Sequence, residues 1–194
     1  MRIVELIIDE KDDTSGIEAV SVVESPAIES DFIALKKHEI ELKEVDAEKR
    51  ILMGAALIPN KQIYRTNDKN EEYYIYFSEA TVRKASELFF MNSNQNNATL
   101  EHNEKLKGMS VVESWIIEGE FDKSMNYGFD LPKGTWMISM KVNNDDIWNK
   151  VKLGEIKGFS IEGYFADKYE MSLQDNDQIL MDKIKEIILN GEAN

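Results

Sequence analysis

The chain has 194 residues, a formal net charge of −14 and no cysteine. This length suits one domain with a sizeable core, and the lack of cysteine excludes disulfides, a thiol nucleophile and thiolate metal sites. The negative charge argues against a general nucleic-acid binder, because phosphates would repel it. No apolar run approaches the roughly 18 residues that span a bilayer. The N-terminus lacks a signal-peptide cleavage pattern, so we expect a cytoplasmic protein that does not bind membranes.

The N-terminal part of the chain predicts two strands and a connection. Residues 3–8 and 17–23 are rich in apolar and β-branched side chains, which favours strands. Residues 36–50 are dense in charge and weakly periodic, which indicates a solvated connection. We therefore predict that the strands of residues 1–35 pack onto the main body of the fold, which follows the connection.

The main body predicts many short strands and few helices. The apolar run of residues 51–59 favours a buried strand, and Ser78 is a suitable N-cap for the helix that follows. The segment TWMISMKV alternates as a half-buried strand does, and IKGFSIEGYF predicts a further strand. Because the sequence lacks βαβ alternation, the predicted class is β-rich α+β. Residues 167–194 predict an acidic tail with an amphipathic helix.

The two histidines of the chain differ in their surroundings. His38 lies in the charged segment KKHEIELKE, where a solvated side chain is the common arrangement. His102 follows a short predicted strand and shares a face with Ala98 and Leu100, which predicts a ring directed toward the packed side. Taken alone, a core histidine is more common than a catalyst. A serine hydrolase nevertheless needs an imidazole within hydrogen-bond reach of its hydroxyl, and His102 is the candidate.

Ser160 is the candidate nucleophile, in the strand GFSIEGYF. Its side chain is predicted on the face opposite Phe159 and Ile161, with Gly158 leaving space beside it. The motif approaches the nucleophile elbow G-x-S-x-G, but Gly163 comes one residue late and the strand pattern continues beyond it. This argues against an α/β-hydrolase. By itself, Ser160 is more simply explained as an ordinary strand serine.

Metal and cofactor motifs are missing from the sequence. Glu101 and Glu104 flank His102, but no second His or Asp follows at ligand spacing. The Asp/Asn clusters lack the glycine and terminal Glu of a calcium loop, and no glycine-rich phosphate loop is present. We therefore predict no metal and no cofactor.

Six segments together carry a resemblance to a known family. They are GIEAVSVVESPAIESDFIAL, ALIPNKQIYR, YYIYFSEATVRKASELF, ATLEHN, GMSVVESWIIE and DLPKGTWMISMKVNNDDIWNKVKLGEIKGFSIEGYF. Their order and spacing resemble the phage prohead serine proteases, in particular the XkdF-like subgroup of phages and defective prophages of Gram-positive bacteria. The resemblance implies that residues 51–166 form the protease core, with Ser160 as nucleophile and His102 as general base. It also implies a fold similar to the herpesvirus assemblin protease, a β-barrel surrounded by a few helices.

The third member of the site is not fixed by the resemblance. In the wider family an acidic residue follows the serine, in a strand that ends at a Pro-Ala pair. Here a segment of that type, GIEAVSVVESPAI, lies at the N-terminus, as though the strand had been circularly permuted. Glu18 is our preferred candidate, although it requires a bulge or a shifted register to face His102. Glu113, in VVESW, is the rival.

The function implied by the resemblance is that of a serine endopeptidase. Its substrates would be the phage scaffold and major capsid proteins, and the protease itself, inside the procapsid that assembles in the host bacterial cytoplasm. Two alternatives remain open. The chain could be a catalytically inactive scaffold or internal capsid-assembly protein that keeps the fold, or a soluble binding module in which His102 and Ser160 are structural.

Overall fold

The computed structural model describes residues 2–24, 33–35, 49–67, 69–168 and 181 of the chain. The strands within them are β1 Arg2–Ile7, β2 Gly16–Val23, β3 Ile33–Leu35, β4 Ile51–Leu57, β5 Ile63–Thr66, β6 Glu72–Phe77, β7 Ala98–Leu100, β8 Glu104–Leu106, β9 Met109–Ile116, β10 Trp136–Val142, β11 Gly158–Tyr164 and β12 Ala166–Asp167. The helices are α1 Glu79–Met91 and α2 Asp145–Lys152, with 3₁₀ helices at Asn94–Asn96 and Lys123–Tyr127.

The strands of the described residues form three open sheets of four strands each. Their orders are β12-β1-β6-β5, β3-β4-β10-β9 and β11-β2-β7-β8. The predicted class, β-rich α+β, is confirmed. Each sheet has two edge strands, so hydrogen bonding within this part of the chain does not produce the closed barrel that the resemblance implied.

Helix α1 packs its apolar stripe against β2 of the third sheet and β10 of the second. The Ser78 side chain accepts a hydrogen bond from the Thr81 backbone N–H, which confirms the predicted N-cap. Val82 and Phe89 on the inner face are fully buried, and the Phe89 ring meets the Trp136 ring edge to face at 5.5 Å between centroids. This contact fixes the helix against β10.

Strand β10 is buried on both faces, and not on one face as its alternation predicted. Met137 and Ser139 are as buried as Trp136 and Ile138. The two edges of β10 are covered by β4 and β9, and helices α1 and α2 both contact this strand. Ser139 is therefore a buried polar residue in this strand, and its hydroxyl is satisfied because it donates a hydrogen bond to Glu113 at 2.8 Å.

The N-terminal strands lie inside two of the sheets. Strand β1 pairs in parallel with β6, and β2 lies between β11 and β7, antiparallel to the first and parallel to the second. Val20 and Val22 direct their side chains into the core, on the opposite face from Ser21. The third sheet therefore joins the start of the chain to its later strands.

Two predicted segments fall outside the described residues. These are most of the charged connection, residues 36–48, and nearly all of the predicted tail helix beyond residue 168. No helix in the described part of the chain is both long and apolar enough to cross a membrane.

Candidate active site

Three hydroxyl side chains form a row across the third sheet. Ser160 on β11 lies directly opposite Ser21 on β2, and Ser21 lies opposite Thr99 on β7. All three are buried, on the face that turns away from Phe159 and Val22. The register thus places the predicted nucleophile two strands from β7, whose end leads into His102.

His102 lies in the tight turn between β7 and β8. Both Glu101 and His102 have positive φ, 49° and 59°, a conformation that costs energy for residues other than glycine. The His102 backbone N–H donates to Ser21 Oγ at 3.0 Å, which ties the turn to β2. A second tie joins the Glu24 backbone N–H to Glu101 Oε1 at 2.7 Å. These bonds hold a strained turn that presents the imidazole at the end of the sheet.

The His102 side chain is 44% exposed, so its ring does not face the packed side as predicted. The expectation assumed that the strand continues to His102, but β7 ends at Leu100 and the turn reverses the chain. Because the ring lies at the rim of the sheet, one edge faces solvent while the other meets Glu162.

Glu162 is the carboxylate that contacts His102. Its Oε1 lies 3.2 Å from His102 Nδ1. The Thr99 hydroxyl donates to the same oxygen, so a buried neighbour fixes the carboxylate. Glu162 follows Ser160 by two positions on β11, and residues two apart on a strand share a face. Sequence reasoning missed Glu162, although this period of two was the available signal.

Gly163 allows β11 and β2 to approach closely next to the site. The register between them shifts after Glu162, so that Glu162 faces Ala19, Gly163 faces Ile17, and Glu18 is left over as a bulge. A Cβ on Gly163 would lie 1.9 Å from the Gly16 carbonyl oxygen. The glycine that falls too late for a nucleophile elbow is therefore required by the bulge.

The two acidic residues predicted from the sequence are placed differently. Glu18 is the bulged residue itself, with an exposed side chain that makes no contact with His102 within the described residues. Glu113 lies in the second sheet, where Lys123 Nζ is 2.6 Å from its Oε1 and Ser139 donates to its Oε2. The hydrogen bond from Lys123 lowers the pKa of Glu113, and that from Ser139 adds to the effect while burial opposes it.

Ser160 is brought near this cluster without a direct bond to it. No hydrogen bond joins its hydroxyl to His102 within the described residues, and the His102 ring meets Glu162 instead. Catalytic hydrogen bonds are often long in unliganded enzymes and tighten when substrate binds. Ser160 also forms part of the wall of a cavity of about 930 Å³.

The arrangement contains three of the groups that acyl transfer uses, a hydroxyl, an imidazole and a carboxylate. A carboxylate lies on Nδ1 of the imidazole, which leaves Nε2 for a hydroxyl, as in serine hydrolases generally. No group of three or more His, Asp or Glu side chains within the described residues could hold a metal ion. The chemistry that these side chains offer is therefore that of a hydroxyl, an imidazole and a carboxylate.

Comparison with known proteins identifies the family. The model of the family described as "Putative phage serine protease XkdF" matches residues 39–170. The chain belongs to this family. The match to the XkdF family includes His102, Ser160 and Glu162, and it leaves out strand β2 with Ser21 and Glu18.

One curated protein is distantly similar to this chain. The uncharacterized protein YqbD of Bacillus subtilis (strain 168) is 26% identical over 156 residues, which cover 76% of this chain and 44% of YqbD. The chain thus spans less than half the length of that relative. No solved structure gives a significant match to this chain.

Proposed function

We propose that the chain is a serine endopeptidase with Ser160 as nucleophile and His102 as general base. The observation that carries the proposal is the contact of His102 Nδ1 with Glu162, a carboxylate on the same strand and the same face as Ser160. Membership of the XkdF family supports the same chemistry. Glu162 takes the role that the sequence assigned to Glu18, that of the residue that positions the imidazole.

The proposed reaction is acyl transfer in two steps. His102 takes the Ser160 proton as Oγ bonds to the carbonyl carbon of a peptide bond, and it gives that proton to the amine that leaves as the C–N bond breaks. Water then attacks the ester, again through His102, and releases the acid with Ser160 restored. Glu162 holds the proton on Nδ1 and stabilises the imidazolium that forms in each step.

The proposed substrates are the proteins of the assembling phage capsid. We propose scaffold protein, the N-terminal part of the major capsid protein and the protease itself, cleaved in the procapsid within the host bacterial cytoplasm. We also propose that the fold is related to that of the herpesvirus assemblin protease, and this relationship is consistent with a protease that acts in capsid assembly. Co-expression of the capsid protein of the same phage with wild-type or Ser160→Ala protease tests this part, because only the wild type should shorten the capsid protein.

A fluorophosphonate probe tests the chemistry directly, since it bonds to an activated serine without needing a known substrate. We expect the wild type to be labelled and Ser160→Ala to remain unlabelled. Ser139→Ala is the matched control, because Ser139 is also a buried strand serine beside a glutamate and should be dispensable for labelling. Labelling that persists in Ser160→Ala would overturn the assignment.

A second candidate function is that of a catalytically inactive assembly protein with this fold. The missing hydrogen bond between Ser160 and His102 favours it. A folded wild-type protein that resists the probe, and leaves the capsid protein intact, would select this alternative.

A further inference from the structure

A large cavity adjoins the proposed nucleophile. It measures about 930 Å³ and lies between the inner face of the first sheet and strands β4 and β11. Ser160 and Ile161 belong to its wall, although their side chains leave β11 on opposite faces. The cavity therefore runs beside β11, which is an edge strand of its sheet. A polypeptide chain inside it would pass the backbone at Ser160, whereas His102 and Glu162 are not part of the wall.

The deep part of the cavity is apolar. Its wall includes Val4, Leu6, Leu57, Ile75, Phe77 and Ile161. The volume falls within the range of about 300–1,000 Å³ that ligand sites occupy, and such sites combine apolar walls with a few polar groups. Apolar side chains of a bound peptide would gain free energy by leaving water here.

At the polar end of the cavity the carboxylates accept hydrogen bonds within the protein, but only Asp167 is paired with an opposite charge, since Glu71 and Glu72 meet neutral side chains. Three carboxylates in the wall have partners at hydrogen-bond distance. The pairs are Arg2 with Asp167 at 2.6 Å, Asn67 with Glu71 at 2.8 Å, and Tyr64 with Glu72 at 2.9 Å.

Arg65 is the exception at that end. Its guanidinium donates to the Tyr64 carbonyl oxygen at 2.9 Å, and no carboxylate within the described residues lies in ion-pair range. Burial lowers the pKa of Arg65, and the Tyr73 phenol opposes that shift. A half-buried guanidinium keeps several N–H donors, which are best satisfied by a carboxylate in two parallel hydrogen bonds.

We propose that this cavity is the substrate-binding cleft, and that it takes an extended peptide segment whose apolar side chains fill the deep part while an Asp or Glu side chain binds Arg65. The inference rests on the proposed protease function, because it treats Ser160 as the point of cleavage. Arg2 offers no second site of this kind, since Asp167 already neutralises it. Arg65 is then the residue that determines specificity.

Peptide binding to the Ser160→Ala protein tests the cleft without requiring cleavage. The probes are fluorescein-labelled, C-terminally amidated octapeptides that alternate Ser with Val, Leu or Phe, with Glu, Gln or Lys at one central position. Fluorescence anisotropy measures the Kd of each peptide for four proteins. These are Ser160→Ala alone and Ser160→Ala combined with Arg65→Gln, Arg65→Lys or Arg2→Gln. Arg2→Gln is the matched control, because it removes the same charge from the same cavity wall.

We expect the Glu peptides to bind about tenfold tighter than the Gln peptides. Arg65→Gln should remove that preference, while Arg65→Lys and Arg2→Gln should keep most of it. Equal binding of Glu and Gln peptides, or equal loss in Arg65→Gln and Arg2→Gln, would overturn the proposal. Fluorophosphonate labelling of the wild-type protein reports separately on the protease. A labelled wild type whose Ser160→Ala variant binds Glu and Gln peptides equally refutes the cleft alone. A Glu preference in Ser160→Ala without labelling of the wild type refutes the protease alone.

Discussion

Two serine–glutamate clusters lie in different sheets of this protein, and only one includes an imidazole. In the second sheet, Ser139 and Lys123 both bind Glu113. In the third sheet, Glu162 binds a hydroxyl and His102, and Ser160 lies two positions away on the same strand. The Lys123 ammonium satisfies Glu113 and leaves no base for a hydroxyl. The two clusters thus differ in the group that contacts the carboxylate, an ammonium in one and an imidazole in the other.

Replacement of His102 tests this comparison most strongly. His102→Ala should lower the rate of fluorophosphonate labelling by up to about 10⁴-fold, because His102 carries the only imidazole among the described residues. The labelling rate is measured from samples quenched at successive times. His38→Gln, which removes the other histidine, should label at the wild-type rate, and a similar fall in both variants would contradict the role of His102.

Replacement of the two glutamates compares the clusters directly. Glu162→Gln should slow labelling about 100-fold, since a hydrogen bond to a charged group contributes roughly 1.5–3 kcal/mol. Glu113→Gln should leave the rate unchanged. ¹⁵N NMR of His102 gives a second measurement, because loss of the carboxylate should reduce the fraction of the tautomer with its proton on Nδ1. An unaltered tautomer ratio in Glu162→Gln would show that Glu162 does not position the ring.

Gly163→Ala should destabilise the sheet that carries the site. The new Cβ would overlap the Gly16 carbonyl oxygen, so β2 or β11 must move, at a cost of about 3 kcal/mol. Urea unfolding measures the change. Gly119→Ala is the matched control, because its Cβ would meet no atom within 4 Å. Equal stability of the two variants would show that the strands do not approach this closely.

The Glu113 cluster should contribute to stability in a pH-dependent way. Its pKa is lowered in the folded state, so its contribution is present above the unfolded-state pKa and is lost as pH falls through the folded-state value. The side chain is 49% exposed, and solvent screening keeps the contribution below about 1 kcal/mol. Glu113→Gln should therefore lower the free energy of unfolding slightly at pH 7 and not at pH 3. An equal difference at both pH values would argue against an ionic origin.

Much of the fold could be predicted because local patterns control it. The helix after Ser78 and the β-rich class follow from capping and periodicity. The order of strands in the sheets could not be predicted in this way, because pairing between strands that are distant in the chain produces no local sequence pattern. Burial of β10 on both faces is an example, since its polar Ser139 is satisfied by Glu113 from the neighbouring strand.

The roles of Ser160 and His102 stay predictions, and the structure shows where the two residues lie. Family resemblance directed attention to Ser160 and His102, and the register places them on neighbouring parts of one sheet. Glu162 was missed because the family pattern directed the search to the N-terminal segment, whereas a period of two along β11 already places it beside Ser160. The bulge that Glu18 would need does exist, yet the exposed side chain makes no contact with His102 within the described residues.

The position of β2 has a consequence for when the proposed active site can form. Ser160 lies on β11 and His102 in the turn after β7, and these two strands do not pair with each other. Both strands pair with β2, and the His102 backbone N–H is also bound to Ser21 of β2. Such distant pairing forms late in folding, because a long loop must close first. During synthesis, a chain that ends before residue 160 contains His102 but not Ser160. A chain that lacks residues 16–23 would contain both residues but not β2, the strand that pairs with β11 and β7. The proposed active site is thus complete only when residues 16–23 have paired with both β7 and β11.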